Sequence, residues 1–536
     1  MKKSIKRLFC LLSAGVLSLS ILPFAACSQT DETLVLKVAN WEEYIDEGGW
    51  DEDELIDIEN PYDEEAGGVI GVNSIVDSFT EWFNSSDFGY NIKVEYSTFG
   101  TNEDLYNRLN LGDKYDLVCP SDYMIMKLKN EDKLEKFSSD FLDSSKEENY
   151  YINNVSPYIN GVFEKYDWKE YAACYMWGTT GLIYNPELAE EDDVSHWDIL
   201  QNRDYQRKVT IKDNVRDAYF AALGIHNAET LLSESITADE RSQLLNATDD
   251  ENIAAAEDIL KDIKENVYSF ETDSGKADMV TGKVIANFQW SGDGVYIMDL
   301  ADEDGTELWY SVPEECTNLW FDGWVMLKDG INGDERKKQA AEAFINFVSR
   351  PDNAVRNMYY IGYTSAIAGD TVFEYLDWNY GMVFDQTDEE WFDTEITEVY
   401  EYDLSYFFGE GYSLYIDASQ LIIEDATTSV EQLGYEDYGN TIEYTVYSSG
   451  KISKGRQAFT QYPTENVINR SVIMLDFGDR LAQINQMWIN VRCLDVKDFN
   501  PAVVWTIVGI VLAGGVALTL YKFRYHIFIR KSSIAE

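Results

Sequence analysis

Aromatic and acidic side chains occur close together in several segments that end predicted strands. Segments 41–44, 290–293 and 320–322 each place a Trp or Tyr within three residues of an Asp or Glu. An aromatic face attracts a cation by about 0.5–2 kcal/mol, and a carboxylate forms charge-assisted hydrogen bonds with ammonium protons. The pattern therefore indicates a site for a protonated amine, although Trp290 and Trp320 are also compatible with packing in a core.

The order of the predicted elements would bring two acidic or aromatic segments to one edge of a sheet. Short β-rich runs occur at 34–39, 91–96 and 115–119, and stretches with helical spacing separate them. This alternation predicts a parallel sheet with helices on its faces. Ligands bind beyond the carboxyl ends of such strands, so residues 41–44 and 121–123 are expected at the same edge. A second α/β region is predicted from about residue 150.

Two acidic features of the first region have simpler interpretations. Glu42 and Glu43 are adjacent, so in a strand-like segment only one of them would face the ligand. Residues 46–65 contain many acids and two glycines, which is typical of a charged surface loop.

The composition excludes several classes of function. The chain has 536 residues, enough for two or three domains, and 97 Asp+Glu against 42 Lys+Arg give a net charge of -55. Such a chain repels nucleic acid and anionic lipid headgroups. It contains three His and neither a phosphate-binding loop nor a Cys-x-x-Cys motif. We therefore predict no nucleic-acid partner, no cofactor, no metal site and no enzymatic activity.

Both ends of the chain indicate a membrane. Residues 1–27 combine a basic start, an apolar run and the sequence Phe-Ala-Ala-Cys, which resembles a lipoprotein cleavage site and would leave Cys27 acylated; a plain secretory signal is the alternative. Residues 502–521 are uncharged and long enough to span a bilayer. Basic residues follow at 522–536, so this tail is predicted to be cytoplasmic and the rest extracytoplasmic. The predicted location is the cell membrane.

Four cysteines remain in the predicted outer part, namely Cys119, Cys174, Cys316 and Cys493. Their wide spacing gives no pairing, so buried free thiols are expected, while one or two disulfides stay possible outside the cell.

Many ordered motifs relate the chain to one family. They are Asn40-Trp41-Glu42-Glu43-Tyr44, Tyr96-Ser97-Thr98-Phe99, Asn102-Glu103, Tyr115-Asp116-Leu117-Val118, Pro120-Ser121-Asp122-Tyr123, Tyr175-Met176-Trp177-Gly178-Thr179-Thr180-Gly181, Asp213-Asn214-Val215-Arg216-Asp217, Trp290-Ser291-Gly292-Asp293, Trp320-Phe321-Asp322, Arg350-Pro351-Asp352, Ile361-Gly362-Tyr363 and Tyr462-Pro463-Thr464-Glu465. Over roughly 34–370 and 460–492 the chain resembles the spermidine/putrescine-binding proteins of bacterial ABC transporters.

The resemblance implies a two-lobed α/β architecture, the type II periplasmic-binding-protein fold. Lobe 1 would comprise 33–150 and 320–367, and lobe 2 would comprise 151–319 and 456–497. Residues 371–455 would form an acidic, aromatic insertion beyond the usual family length. A polyamine would be bound between the lobes and delivered to ABC permease subunits and their ATPase. The membrane would be reached through acylated Cys27 and helix 502–521.

The resemblance also implies the binding residues. Trp290 and Trp320 would sandwich the methylene chain, Asp322 would bind an amino group, and Asp293 matches an acid of the putrescine-binding members. The full set of expected binding residues is Trp41, Glu42, Glu43, Tyr44, Ser121, Tyr123, Asn214, Asp217, Trp290, Asp293, Trp320, Asp322 and Tyr363.

Two positions depart from the family pattern. Asn214 stands where spermidine-binding members have a carboxylate, and Met474 stands where they have a glutamine. The choice between putrescine, spermidine and another amine therefore stays open. The alternatives are a receptor for another cationic ligand, such as thiamine or ferric iron, and an extracytoplasmic sensor of the same fold that feeds no transporter.

Overall fold

The computed structural model describes residues 33–50, 56–58, 68–380, 399–417 and 457–493. The predicted signal with Cys27, the predicted membrane segment 502–521 and the predicted tail 522–536 lie outside these ranges. None of the helices in the described ranges combines the length and apolarity that a membrane crossing requires. The chain divides into two compact units, 1–478 and 479–536.

Sixteen strands are described: β1 (Leu34–Trp41), β2 (Ile56–Ile58), β3 (Gly68–Ile70), β4 (Ile92–Phe99), β5 (Leu117–Val118), β6 (Leu134–Glu135), β7 (Ala172–Tyr184), β8 (Val209–Lys212), β9 (Ser269–Glu271), β10 (Ala286–Trp290), β11 (Trp309–Ser311), β12 (Thr317–Leu327), β13 (Thr364–Ser365), β14 (Val399–Asp403), β15 (Ser413–Asp417) and β16 (Ser471–Val472).

The described helices are α1 (Ile75–Ser85), α2 (Asn102–Leu111), α3 (Asp122–Asn130), α4 (Tyr150–Asn154), α5 (Pro157–Lys165), α6 (Glu191–Val194), α7 (Val215–His226), α8 (Ala228–Leu231), α9 (Ala238–Leu245), α10 (Asp250–Asn266), α11 (Ser274–Val280), α12 (Ser291–Glu303), α13 (Lys328–Ile331), α14 (Glu335–Val348), α15 (Pro351–Ile361), α16 (Asp370–Tyr380), α17 (Ser405–Phe408), α18 (Gln457–Gln461), α19 (Glu465–Arg470) and α20 (Leu481–Arg492).

The parallel sheet predicted for the first region is confirmed. β1 pairs in parallel with β4 along its whole length and with β5 at Val38 and Ala39. Helix α1 buries Ile75, Phe79 and Phe83, which recur at the spacing of one helix face. The carboxyl ends of β1 and β5 consequently place the segments after Trp41 and Val118 at one edge of the sheet.

Two long antiparallel strands, β7 and β12, connect two groups of parallel strands. The first group has the order β4-β1-β5, and the second has the order β10-β8-β9. β7 pairs with β12 through residues 172–179 and then with β10 through residues 180–184. All residues of both long strands are buried. The sheet is therefore continuous from the first group to the second. The exact lobe boundaries stay a prediction.

The prediction of a charged surface loop over 46–65 is wrong at its first residue. Asp46 is fully buried and pairs with the guanidinium of Arg356 on α15. It also accepts hydrogen bonds of 2.8 Å from the backbone N–H of Gly48 and from the indole of Trp50. A charged side chain is costly to bury unless it is paired with an opposite charge. Arg356 supplies that charge to Asp46 although the two residues are far apart in sequence.

The described part of the predicted insertion packs into the core of the first unit. Its β14–β15 hairpin is antiparallel, and α17 lies between the two strands. Phe407 of α17 is fully buried and stacks on Trp177 of β7, with ring centroids 5.2 Å apart and an interplanar angle of 13°. The Ser156 hydroxyl donates to the Phe407 carbonyl at 2.7 Å. This segment supports one of the two connecting strands directly.

In the second unit, the described residues form one helix, α20. Its buried residues Ile484, Met487 and Val491 are spaced as on one helix face.

The thiol predictions are also settled within the described ranges. Cys119, Cys174 and Cys316 are buried free thiols as expected, whereas the expectation of burial is wrong for Cys493, which is exposed.

Candidate functional site

A buried carboxylate, Asp322, lies at the point where β5 and β12 meet. It is located at an irregularity in the pairing of β12 with β7 and forms an isolated bridge with Ser121. The Tyr44 hydroxyl donates to its Oδ2 at 2.8 Å, and the Ser121 hydroxyl donates to its Oδ1 at 2.7 Å. Burial raises the pKa of Asp322 to about 6, against the opposing effect of these two hydrogen bonds. We call Tyr44, Ser121 and Asp322 the Asp322 cluster.

A polar network extends this cluster along α2. The Asn102 amide donates to the hydroxyl oxygens of Ser121 (3.0 Å) and Tyr123 (2.9 Å). The Tyr123 hydroxyl donates in turn to Glu103 at 3.2 Å. The guanidinium carbon of Arg216 lies over the Tyr123 ring, 3.5 Å from its centroid. Asn102 and Arg216 were not predicted as site residues, although both occur in motifs that carry the family resemblance.

Three aromatic rings lie beside Asp322. Tyr44 and Tyr363 meet edge to face with centroids 5.0 Å apart, and Trp320 lies 5.8 Å from Tyr363. The Trp320 indole donates to the Thr179 carbonyl at 3.1 Å, which fixes the plane of its ring. Glycine is required at position 292, because a Cβ atom there would overlap the Tyr363 ring. The sequence therefore brings Tyr363 directly onto the first turn of α12.

A second carboxylate, Asp293, occupies that first turn. The Tyr363 hydroxyl donates to its Oδ1 at 3.0 Å, and the ammonium of Lys276 on α11 lies 3.0 Å from the same oxygen. The Asp293 carboxylate raises the pKa of Lys276 against the effect of burial. We call Lys276, Asp293 and Tyr363 the Asp293 cluster. No pattern in the sequence indicated that Lys276 would reach it.

A third carboxylate, Asp217, lies on the first turn of α7. Burial raises its pKa to about 6, while the charge of Lys212 and the side chain of Trp290 act in the opposite direction. The Lys212 ammonium lies 4.1 Å from the centroid of a Trp290 ring and 3.6 Å from Glu271. Lys212 is completely buried, which lowers its pKa. It was not predicted as part of the site.

A fourth buried acid, Asp122, is the first residue of α3, next to Ser121 and Tyr123 of the polar network. Its carboxylate accepts hydrogen bonds from the backbone N–H groups of Tyr123 at 2.6 Å and Phe321 at 3.1 Å. Burial nevertheless raises its pKa to about 8. Through these two backbone groups the acid connects the first turn of α3 with β12.

Several predicted residues do not join these clusters. Both Glu42 and Glu43 are exposed, because β1 ends at Trp41 and a turn follows in which Glu43 has a φ of 52°. The expected strand geometry is therefore wrong for these two residues, while their part in binding stays a prediction; the charge of Glu43 contributes to the raised pKa of Lys276. Asn214 is the N-cap of α7 and accepts from the Arg216 N–H at 2.8 Å. Trp41 packs on Phe99, with centroids 4.9 Å apart.

The mixed α/β fold is that of a solute-binding protein. The family model of bacterial extracellular solute-binding proteins matches residues 74–369, more than half of the chain. The chain belongs to this family.

Individual relatives agree with the resemblance seen in the motifs, which is confirmed. The spermidine/putrescine-binding periplasmic protein of Salmonella typhimurium is 28% identical over 275 residues, or 51% of this chain and 70% of the relative. The protein of the same description from Escherichia coli is 26% identical over 356 residues, or 66% of this chain and 82% of the relative. A solved Listeria monocytogenes structure assigned to spermidine/putrescine ABC transport covers 86% of this chain and 99% of its own, at 20% identity and a TM-score of 0.53. It supports the fold.

Proposed function

We propose that this chain is an extracytoplasmic receptor that binds a polyamine such as putrescine or spermidine and delivers it to an ABC importer. The observation that carries the proposal is the state of Asp322. This buried acid has two neutral hydrogen-bond donors, three aromatic rings nearby and, within the described ranges, no ion-pair partner. A protonated primary amine supplies the missing charge. Its methylene groups match the aromatic surfaces.

The proposed mechanism needs no covalent step. One ammonium group binds Asp322, the alkyl chain packs against Trp320 and Trp290, and the second ammonium group is bound by Asp217. The two groups of parallel strands would belong to two lobes of a type II fold, which close about β7 and β12 when the ligand is bound. The closed form would then be recognised by separate permease subunits, and ATP hydrolysis would belong to another chain.

The proposed location follows from both chain ends and from the relatives. The relatives are described as periplasmic proteins. We propose that acylated Cys27 and the segment 502–521 attach this chain to the membrane and leave the binding part outside.

Isothermal titration calorimetry on the purified full-length chain tests the proposal. Putrescine, spermidine and thiamine are titrated separately, and 1,4-butanediol serves as a control of similar length without charge. Saturable binding of at least one polyamine, with no binding of the diol, is expected. A folded protein that binds neither polyamine would refute the proposal, and saturable binding of thiamine alone would favour the alternative of a different cationic ligand.

A further inference from the structure

The buried carboxylates of the site fall into two kinds. Asp293 already has an ammonium group beside it, that of Lys276 at 3.0 Å, and Glu271 has that of Lys212 at 3.6 Å. Within the described ranges, Asp322 and Asp217 have no cation at ion-pair distance, although the more distant charges of Lys212 and Arg216 favour the ionised form of Asp217. The chain therefore neutralises part of its own site. Two carboxylates remain for a ligand.

Lys276 is well placed to act as an internal substitute for a ligand amine. It shares Oδ1 of Asp293 with the Tyr363 hydroxyl, and the Tyr363 ring contacts both Tyr44 and Trp320. The Asp293 carboxylate is thus next to the aromatic surfaces on which an alkyl chain would lie. The charges of Asp293, Asp273 and Glu43 all favour the protonated form of Lys276.

We infer that Lys276 is a specificity-determining residue, whose ammonium group occupies Asp293 and restricts the site to diamines that bind Asp322 and Asp217. This inference rests on the proposed polyamine-binding function. A triamine such as spermidine would bring a third positive charge into the site. Either that charge finds no free carboxylate, or it displaces Lys276 and leaves the lysine charge unpaired in a largely buried position.

The native chain provides the first test. Titration with putrescine and spermidine under identical conditions should show tighter binding of putrescine, by about tenfold or more, the range expected for one hydrogen bond to a charged group. Equal affinities, or tighter binding of spermidine, would overturn the inference without the need for any variant.

The second test changes the lysine itself. Lys276→Met keeps the length of the side chain and removes its charge, so Asp293 becomes available to a third amine. The ratio of spermidine affinity to putrescine affinity should rise about tenfold or more. Lys276→Arg, which restores the charge, should keep the native ratio. Lys283→Met is the matched control, because Lys283 follows α11, is about half exposed and forms a comparable pair with Asp278 at 2.8 Å.

The outcomes separate the two proposals. If both polyamines bind but Lys276→Met leaves the affinity ratio unchanged, or Lys283→Met changes it equally, the inference about Lys276 is overturned and the receptor function stands. If the folded native chain binds neither polyamine, both are overturned. Thermal melting of each variant shows that it is folded before it is titrated.

Discussion

The hydroxyl of Tyr44 donates a 2.8 Å hydrogen bond to Oδ2 of Asp322, although 278 residues separate the two in sequence. Tyr44 follows β1, whereas Asp322 belongs to β12, one of the strands that connect the two parallel groups. The hydrogen bond joins a neutral hydroxyl to a carboxylate, so it orients the carboxylate without cancelling its negative charge. Burial makes the ionised form of such an acid less favourable than it would be in water. This has measurable consequences for ligand binding and for the stability of the fold.

Asp322→Asn should abolish tight binding without loss of folding. Affinity for putrescine should fall by at least about 1.5–3 kcal/mol, because a hydrogen bond to a charged group is lost. The free energy of unfolding of the ligand-free variant should be no lower than that of the native chain, because an unfavourable buried charge is removed. Calorimetry and denaturation measure the two quantities. Asp329→Asn, which changes an exposed acid two residues beyond β12, should alter neither.

Ligand affinity should decrease with acidification. Asp322 and Asp217 have pKa values raised to about 6 by burial, so both are mostly ionised near neutral pH. Lowering the pH from about 7 to about 5 protonates them, and affinity should fall about tenfold for each acid that the ligand requires in ionised form. Constant putrescine affinity across this range would contradict the assignment of both acids.

The same two acids affect the stability of the ligand-free protein in the opposite direction. Their pKa values in the folded state exceed the unfolded values, so folding favours the protonated form. Their contribution to stability is therefore complete below about pH 4 and is lost as the pH rises through about 6. Protonation of these two acids near pH 5 should therefore weaken ligand binding without destabilising the fold. Thermal melts at each pH provide the check.

The sequence was sufficient for the parallel arrangement of β1, β4 and β5, because hydrophobic strands and helices alternate there. It also placed Tyr44 and Ser121 at one edge, after β1 and β5, whereas Asp322, expected at the end of a strand, lies within β12. It did not predict the Lys276–Asp293 pair, because an ion pair between neighbouring helices has no local signal. Asp46 was misassigned for a related reason. Acids in a loop are usually exposed, and only the tertiary structure shows that Arg356 reaches this one.

Arg356→Met should destabilise the chain strongly. It leaves the fully buried Asp46 without its cation, and breaking a buried pair in this way costs about 3–5 kcal/mol of unfolding free energy. Arg336→Met is the matched control, because Arg336 pairs with Asp334 where the two side chains are 49% and 33% exposed, and surface pairs contribute about 0–1 kcal/mol. Equal effects in chemical denaturation would contradict the structural role of Asp46.

Phe407→Ala should show that the insertion is part of the core. Phe407 is completely buried and stacks on Trp177 of β7, so its truncation should lower the free energy of unfolding by about 3–5 kcal/mol. Trp378→Ala removes a larger ring that is 57% exposed and should have little effect. If both variants unfold like the native chain, the insertion does not support β7, and the stacking contact carries no stability.

Membrane attachment should survive the loss of either predicted anchor. Cys27→Ser removes the predicted acylation site, but the uncharged segment 502–521 is long enough to span a bilayer and should retain the chain in the membrane fraction. Truncation before residue 502 should likewise leave a lipid-anchored protein. Combining both changes should release the chain into the soluble fraction, because neither predicted anchor then remains. Fractionation followed by an alkaline wash measures this, and release by Cys27→Ser alone would contradict the proposed topology.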